Sequence, residues 1–557
     1  MIRAPLFLRI PYAKDLRRAV AHVPFSPSDP VYVATPEADV RIAGGHRGFL
    51  AWLTDPLSTF SCSQVWLTPG SVDWATWVPP LLQAGYAVHP SRRDGNYWSL
   101  AVRQCGDAFS YPGEVDTEAT GRSFQGRGLS GLLDIPPFLG ERETARWGWE
   151  ELSKISQDYR DAWPGAGFGP SVASMAIASL KTQLQRDLGL YPPIARLLRA
   201  VGVYGGGRIE YYPVGRAKDF RADAGDNLWS VDLSGAYARA LQTEPIGVEY
   251  LGTGLEHEWD RPGCMTTALI EVPESLYPPL RFETHETCRY PWGPLFGTWT
   301  SSELRAAVAC GAKVLYVHEV KRFEVREELA EWADRCVTLR RSAPHGSSVE
   351  RFAKALVVQG VGALASRSSE TKVATKPDPK RPSAYQRNGI WEIDWERPSQ
   401  REVLSAAIFV TGIVRSWVAL VLHALESMGI LVIYCHTDGL ACLGDPRPAL
   451  DWAAERGAPP SHAWKVNHLQ RLEISAANQR IETDEHGVEN LVAGGISKDL
   501  GPSQVRAKIR SPLGFDTIPT EWQASHRVAQ GPWTRAPEMG EVDEALAERF
   551  QALARKV

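Results

Sequence analysis

VIYCHTDGLACLG, residues 432–444, sets a polar tetrapeptide, His436-Thr437-Asp438-Gly439, between two short apolar runs. The pattern predicts a β-hairpin, because Gly takes positive φ freely and Asp tolerates it. Turn chemistry alone accounts for the Asp-Gly pair. It does not account for a histidine and a carboxylate at the tip of an otherwise apolar hairpin. Whether that tip is more than a turn depends on what other segments bring to it.

The totals set the frame. At 557 residues the chain can hold several cores, so a multi-domain protein is expected. Hydrophobic residues at 44% and charged residues at 23% are ordinary for a soluble globular protein. The start, MIRAPLFLRIPYAKDLRRAV, has no apolar core ahead of a small-residue cleavage site. No apolar run is read as nearing membrane-spanning length. A cytoplasmic protein without a membrane partner is therefore expected. The eight cysteines (62, 105, 264, 288, 310, 336, 435 and 442) form no Cys-x-x-Cys pair, which speaks against a zinc ribbon or a disulfide framework and for buried thiols. A net charge of −4 gives no global basic signature, but a local basic cleft is compatible with it. The 20 tryptophans are dispersed and read as core rather than base-stacking platforms.

Along the chain, VYVAT, QVWLTP, YAVHP and YWSLAVR read as short strands, followed by helices at Trp149–Trp163 and Ser171–Leu188. This is an α/β layer domain. GVYGGGRIEYYPVG opens a second region, in which NLWSVDLSGAYARAL runs from strand into helix. SSELRAAVACGAK reads as a helix, VLYVHEV as a strand, and Glu324–Arg341 with Ser348–Ser366 as a helical pair. TKVATKPDPKRPSAYQRNG reads as loop, Ser405–Met428 as an apolar helix, and VDEALAERFQALARKV as a terminal amphipathic helix. No internal repeat or low-complexity tract is present.

Three segments carry chemistry. Asp232 ends an apolar strand, with Tyr237 five residues on; alone, such an Asp reads as a helix cap. RFAKALVVQGVGALASR places Lys354 on a predicted helix with Gly362 two turns onward; alone, these read as a solvated lysine and a packing glycine. The third segment is the hairpin with Asp438.

Taken in this order, the three resemble the polymerase motifs of family B DNA polymerases: Asp-x-x-x-x-Tyr, a Lys followed by a Gly eight positions on, and Tyr-x-x-Thr-Asp. Tyr204-Gly205-Gly206-Gly207-Arg208 looks like the Tyr-x-Gly-Gly motif of the compact, protein-primed branch found in phages and linear plasmids. AGGISKDLG puts Lys498 where that branch has a lysine at the primer end. The resemblance spans about Ala200 to Leu500.

It implies an α/β and α+β multi-domain fold: a right-hand polymerase of palm, fingers and thumb behind an N-terminal ribonuclease H-like, exonuclease-type domain. The expected division is 1–199 for a degenerate 3′–5′ exonuclease-like domain, 200–320 and 368–446 for the palm with inserted elements, 321–367 for fingers helices and 447–557 for the thumb region. The activity implied is template-directed addition of dNTPs to a primer 3′-OH with two Mg²⁺ ions, or Mn²⁺, in phage or mobile-element replication. Partners are a DNA primer-template, dNTPs and, in that branch, a terminal protein primer. A monomer is expected.

The resemblance assigns Asp232 and Asp438 as catalytic carboxylates, with the Leu233 carbonyl as a further ligand. Hard cations take oxygen ligands, and Mg²⁺ uses one or two carboxylates with phosphate and water. Lys354 would meet the triphosphate, with Arg340, Arg341 and Arg351 near the fingers tip and Gly235 and Gly362 beside the nucleotide. Tyr237 would lie under the sugar and exclude a 2′-hydroxyl. Tyr204, Gly206, Gly207, Arg208, Tyr434, Thr437 and Lys498 would hold primer and template.

The chain departs from that family at stated positions. His436 stands where another Asp is common, so metal use is expected to be altered. Val361 stands in place of a tyrosine against the nascent base pair, and Gly235 in place of a serine. The candidate first strand, DPVYVATPEADV, offers Glu37 without the Asp-x-Glu pair that 3′–5′ exonucleolysis needs. Asp39, Asp73 and Asp158 are the other acidic candidates there. Loss of proofreading is expected. The same site could serve primer synthesis or untemplated addition, and a non-catalytic DNA-binding relic is the reading from a different class.

Overall fold

The computed structural model describes residues 18–22, 29–34, 39–54, 64–68, 86–93, 96–104, 123–128, 141–168, 172–184, 210–211, 220–223, 227–283, 288–364, 368–374, 385–387, 390–397, 403–476, 479–493, 503 and 506. The chain divides into two compact units. One combines residues 1–189 with 334–402, the other 190–333 with 403–557.

The first unit is built on a seven-stranded mixed sheet, in the order 39–42, 31–34, 18–22, 64–68, 123–128, 96–104, 86–93. Three successive antiparallel strands come first, and strand Gln64–Thr68 then runs parallel to both its neighbours. The strand from Arg18 to His22 was not anticipated; it is the topological first strand, and Val31–Ala34 is its partner. Its sequence, RAVAH, also lacks an Asp-x-Glu pair. Helix Glu141–Ala162 packs on these strands and begins eight residues before the expected Trp149. Tyr159 anchors its inner face, with rings of Trp163, Phe168 and Phe352 at 5.4, 5.7 and 6.0 Å. Its hydroxyl donates to the Met175 carbonyl at 2.8 Å, as a buried phenol requires. Helices Val172–Leu184 and Ser348–Leu364 pack together beside it. The stretch read as loop carries strands Ser368–Ala374 and Tyr385–Arg387, both paired with Ile390–Arg397. Pro and Lys between the strands hid that sheet from a periodicity reading.

The second unit holds an antiparallel sheet in the order 489–493, 479–484, 464–476, 228–233, 439–443, 431–436, 210–211, with 220–223 also on strand 464–476. A second sheet joins Gly247–Thr253, Lys313–Val325, Cys264–Val272 and Gly293–Thr300. Glu324 belongs to this long strand, and the helix expected from there starts at Glu328. Helix Leu404–Ser427 runs through the core against helices Ala236–Thr243, Ser301–Ala309 and Arg447–Ala454. The expectation that no apolar run nears spanning length is not met: Ser405–Ser427 is long and apolar enough, with mean hydropathy 1.9. That stretch is buried inside this unit as a core helix. Among the described residues Cys264, Cys310, Cys336, Cys435 and Cys442 are buried, as expected. Burial pushes the Cys310 and Cys442 thiols up to about 12, which keeps them unreactive.

One buried ion pair fastens the core helix. Thr300 and Glu303 form a capping box at the start of helix Ser301–Ala309. The Glu303 carboxylate also accepts from Arg415 Nε at 2.7 Å, with both side chains under 9% exposed. Gly412 permits this approach, since a Cβ there would lie 2.7 Å from Thr300 Oγ1. Burial alone would raise the Glu303 carboxyl, but Arg415 and the bonds from Arg415 and Thr300 hold it below its ordinary value. Its stabilising effect is therefore present above the ordinary carboxylate range and is lost as pH falls through the lowered value. Glu303→Gln is expected to cost about 3 kcal/mol in chemical denaturation at pH 7, since it removes the charge of the carboxylate that faces the buried Arg415 guanidinium. The loss should shrink as pH falls below about 4; equal loss at pH 7 and pH 3.5 would show that the charge carries no stability.

Candidate active site

Strand Leu228–Leu233 lies between strands Gly439–Leu443 and Trp464–Ala476. Leu228, Ser230, Val231 and Leu233 are buried, and Asp232 is the one exposed residue of its strand. A carboxylate at this position is held by a strand that cannot move without exposing apolar surface. Asp232 stands opposite Gly439, and the Leu233 N–H donates to the Asp438 carbonyl at 3.0 Å. The two acidic residues predicted from distant segments thus adjoin: Asp232 at a strand end, Asp438 in the hairpin turn beside it.

Gly439 lies close under Asp232: a Cβ there would stand 3.5 Å from Asp232 Oδ1, at ordinary van der Waals contact. The turn itself is strained. Thr437 sits at φ +59°, unusual for a β-branched residue, and its hydroxyl lies 3.2 Å from His436 Nδ1. Asp438 and His436 are half-buried. After Leu233, Gly235 takes φ +68° at the start of helix Ala236–Thr243, which explains the glycine where the family has a serine. Tyr237, half-buried, lies in the first turn of that helix. Arg239 Nε closes the turn on the Ser234 carbonyl at 3.0 Å.

Asp232, Leu233, Gly235, Tyr237, Thr437 and Asp438 therefore come together in the second unit. Tyr434 lies on strand Leu431–His436, next to the hairpin tip. The donor set suits a hard cation: two carboxylates with a main-chain carbonyl, and phosphate oxygens to complete the shell. Among the described residues no group of three or more His, Cys, Asp or Glu could hold a metal, so a site built wholly from side chains is not present there.

The predicted nucleotide-binding cations belong to the first unit. Lys354 and Gly362 are exposed on helix Ser348–Leu364, with Val358 between them, 48% exposed. Spacings of four place all three on one helix face. Val361 is buried, at 4% exposure, so its position faces the core and not that surface. Arg340 lies 3.5 Å from Glu350, which also accepts from the Gly346 N–H and fastens the loop between the two helices. Arg351 contributes to lowering the Glu151 carboxyl; burial opposes this, and hydrogen bonds from Lys154 and Ser348 lead it. Arg341 is exposed.

Tyr204, Gly206, Gly207, Arg208, Lys498, Glu37 and Asp73 lie outside the described residues. Asp39 is engaged by Arg146, whose Nε is at 2.9 Å. Asp158 is half-buried on helix Glu141–Ala162, its carboxyl raised by burial and by Asp161. One residue escaped the sequence reading: Lys465, exposed and directly opposite Asp232. The signal was alternation in WKVNHLQRLEI, which marks a strand entering the same sheet.

No family model matches the sequence, and no curated protein does. Among solved structures the chain is similar to phi29 DNA polymerase complexed with primer-template DNA and incoming nucleotide, with a TM-score of 0.60 and 12% identity over 88% of this chain and 95% of that one. It is also similar to phi29 DNA polymerase complexed with single-stranded DNA, with a TM-score of 0.57 and 12% identity over 87% and 93% of the two chains. This likeness shows the fold: that of the protein-primed family B DNA polymerases, in agreement with the motifs.

The hairpin strain is testable. Thr437→Asn should raise stability by about 0.5–1 kcal/mol, because Asn adopts positive φ at less cost than a β-branched residue. A lower melting temperature in that variant would mean that the Thr437 hydroxyl contributes more than its backbone costs.

Proposed function

We propose that the chain is a template-directed DNA polymerase that adds dNTPs to a primer 3′-OH. The observation that carries this reading is the placement of Asp232, at a strand end, beside the hairpin turn that carries Asp438, inside a fold shared with a DNA polymerase. Asp232, Asp438 and the Leu233 carbonyl would hold Mg²⁺ or Mn²⁺. Two such ions supply activation of the attacking oxygen and charge stabilisation at the α-phosphate. The chain's own residues do the rest. The buried strands fix the carboxylates, and Tyr237 takes the place under the sugar. Lys354 offers a point charge to the triphosphate, with Arg340, Arg341 and Arg351 as its neighbours in that role.

In this reading residues 200–320 and 368–446 are the palm with its inserted elements, 321–367 the fingers, 447–557 the thumb, and 1–199 an exonuclease-like layer. Tyr204, Gly206, Gly207, Arg208, Tyr434, Thr437 and Lys498 contact DNA. The chain works as a monomer in the cytoplasm of a host cell, in replication of a phage or mobile element, and a terminal protein serves as primer. The absence of Asp-x-Glu from both RAVAH and VYVATPEADV supports a layer that no longer proofreads. An alternative use, untemplated addition or primer synthesis, is favoured by the exposed face of Lys354, Val358 and Gly362, which presents no aromatic ring to a nascent base pair.

Primer extension with a labelled primer-template, Mg²⁺ or Mn²⁺ and each dNTP alone tests the activity. Only the templated nucleotide should be added; addition without a template, or of every dNTP alike, would favour the alternative. Asp232→Asn and Asp438→Asn should each lower incorporation by at least about a thousandfold, the loss expected when an oriented metal no longer stabilises charge. DNA binding should persist. Without dNTPs, a 3′-mismatched primer should keep its length.

Sugar selection is tested separately. Tyr237→Ala should admit ribonucleotides, raising their incorporation relative to dNTPs by about tenfold or more, as removal of a steric block of 1–3 kcal/mol allows. Unchanged discrimination would make Tyr237 a packing residue.

A further inference from the structure

Asp232 has two cross-strand neighbours, and they differ in kind. On one side is Gly439, with His436 beyond it; on the other is Lys465. Directly opposed residues of an antiparallel ladder project from the same face, with Cβ atoms about 4.5–5.5 Å apart. The transverse row thus reads Glu210, His436, Gly439, Asp232, Lys465, so that the one lysine of the row adjoins Asp232 and the further acidic residue stands three strands away from Asp232. The adjacent row on that face, Ala441, Ser230 and Asn467, is uncharged. Lys465 is exposed, so its four-carbon stem is unconstrained by packing. It is the cation on this face nearest in register to Asp232, and no third carboxylate joins the two aspartates in a metal-holding group among the described residues.

We propose that Lys465 is a charge-balancing positioning residue for the carboxylate pair. It counters Asp232 while no divalent cation is bound, and turns to a phosphate of the incoming nucleotide when that arrives. This rests on the reading of Asp232 and Asp438 as metal carboxylates. An ammonium about 6 Å from a divalent ion repels it, even through water, by an amount worth roughly tenfold in affinity. The pair therefore binds a divalent cation weakly alone. A triphosphate removes that penalty by giving the ammonium a more highly charged partner. The substrate then recruits the ion, rather than the ion waiting for substrate.

Manganese binding to the full-length chain, measured by calorimetry without nucleotide or DNA, tests this directly. Lys465→Gln should bind Mn²⁺ about tenfold more tightly than wild type, and Lys465→Arg should match wild type. In primer extension, Lys465→Gln should raise the KM for dNTP severalfold, and Lys465→Arg should restore it. Unchanged Mn²⁺ affinity in Lys465→Gln, or an arginine variant that behaves like the glutamine one, overturns the proposal. Asp438→Asn separates the two levels of inference. If it leaves Mn²⁺ binding intact, the metal reading itself fails; if it abolishes binding while Lys465→Gln changes nothing, only the role of Lys465 fails.

Discussion

The register of Asp232 against Gly439, closed by the Leu233 N–H on the Asp438 carbonyl at 3.0 Å, is the constraint on which the candidate centre depends. A slip of one residue would turn Asp232 into the core and Val231 or Leu233 out of it. That alternative is costly because Val231 and Leu233 are buried on one face and Ser230 and Leu228 on the other. Strands Leu431–His436 and Gly439–Leu443 are held in the same way by Val432, Ile433, Cys435, Leu440 and Cys442. The chemistry at the strand ends is thus positioned by apolar burial beneath it. A carboxylate could be exchanged with little effect on the sheet.

What lies behind the sheet is less tolerant. Helix Leu404–Ser427 is apolar enough for a bilayer, yet its burial is organised by a charged residue, Arg415, on Glu303. An ion pair in such surroundings need not add net stability over an apolar substitute, but either member left alone is costly. The pair also fixes rotation of the helix. Arg415 can reach Glu303 from one helical phase only, and Gly412 three residues earlier must then face Thr300. Helix rotation in turn sets which apolar residues meet strand Leu431–His436 and the hairpin.

The sequence revealed the parts of this molecule whose chemistry is local. Asp232 at a strand end and Lys354 with Gly362 on a helix were legible, because each combines a backbone preference with a residue type that chemistry requires; the hairpin was legible too, but its positive φ falls on Thr437 and not on the Asp-Gly pair that suggested it. Pairing between distant strands was not legible. Nothing in RAVAH marks it as a central strand, since five residues of mixed polarity carry no clear period. The sheet at 368–397 was hidden by Pro- and Lys-rich connections. Lys465 became significant only through its register with Asp232, a relation between segments more than two hundred residues apart in the chain. The same limit applied to Val361, whose burial depends on which face of its helix meets helix Val172–Leu184.

The departures at the hairpin and on strand Trp464–Ala476 share one electrostatic direction. His436 puts an imidazole where the family commonly carries a carboxylate, and Lys465 puts an ammonium beside Asp232 in the same transverse row. Both reduce the negative charge of a face that, in the proposed reaction, must receive two polyanions, a primer end and a triphosphate. A less anionic face repels those substrates less and attracts free divalent ions less. Metal retention then falls to the two aspartates together with the substrate's own phosphates, which is how Mg²⁺ is commonly held. The strained Thr437 fits the same arrangement, because it shapes the turn that sets Asp438 beside the strand end of Asp232.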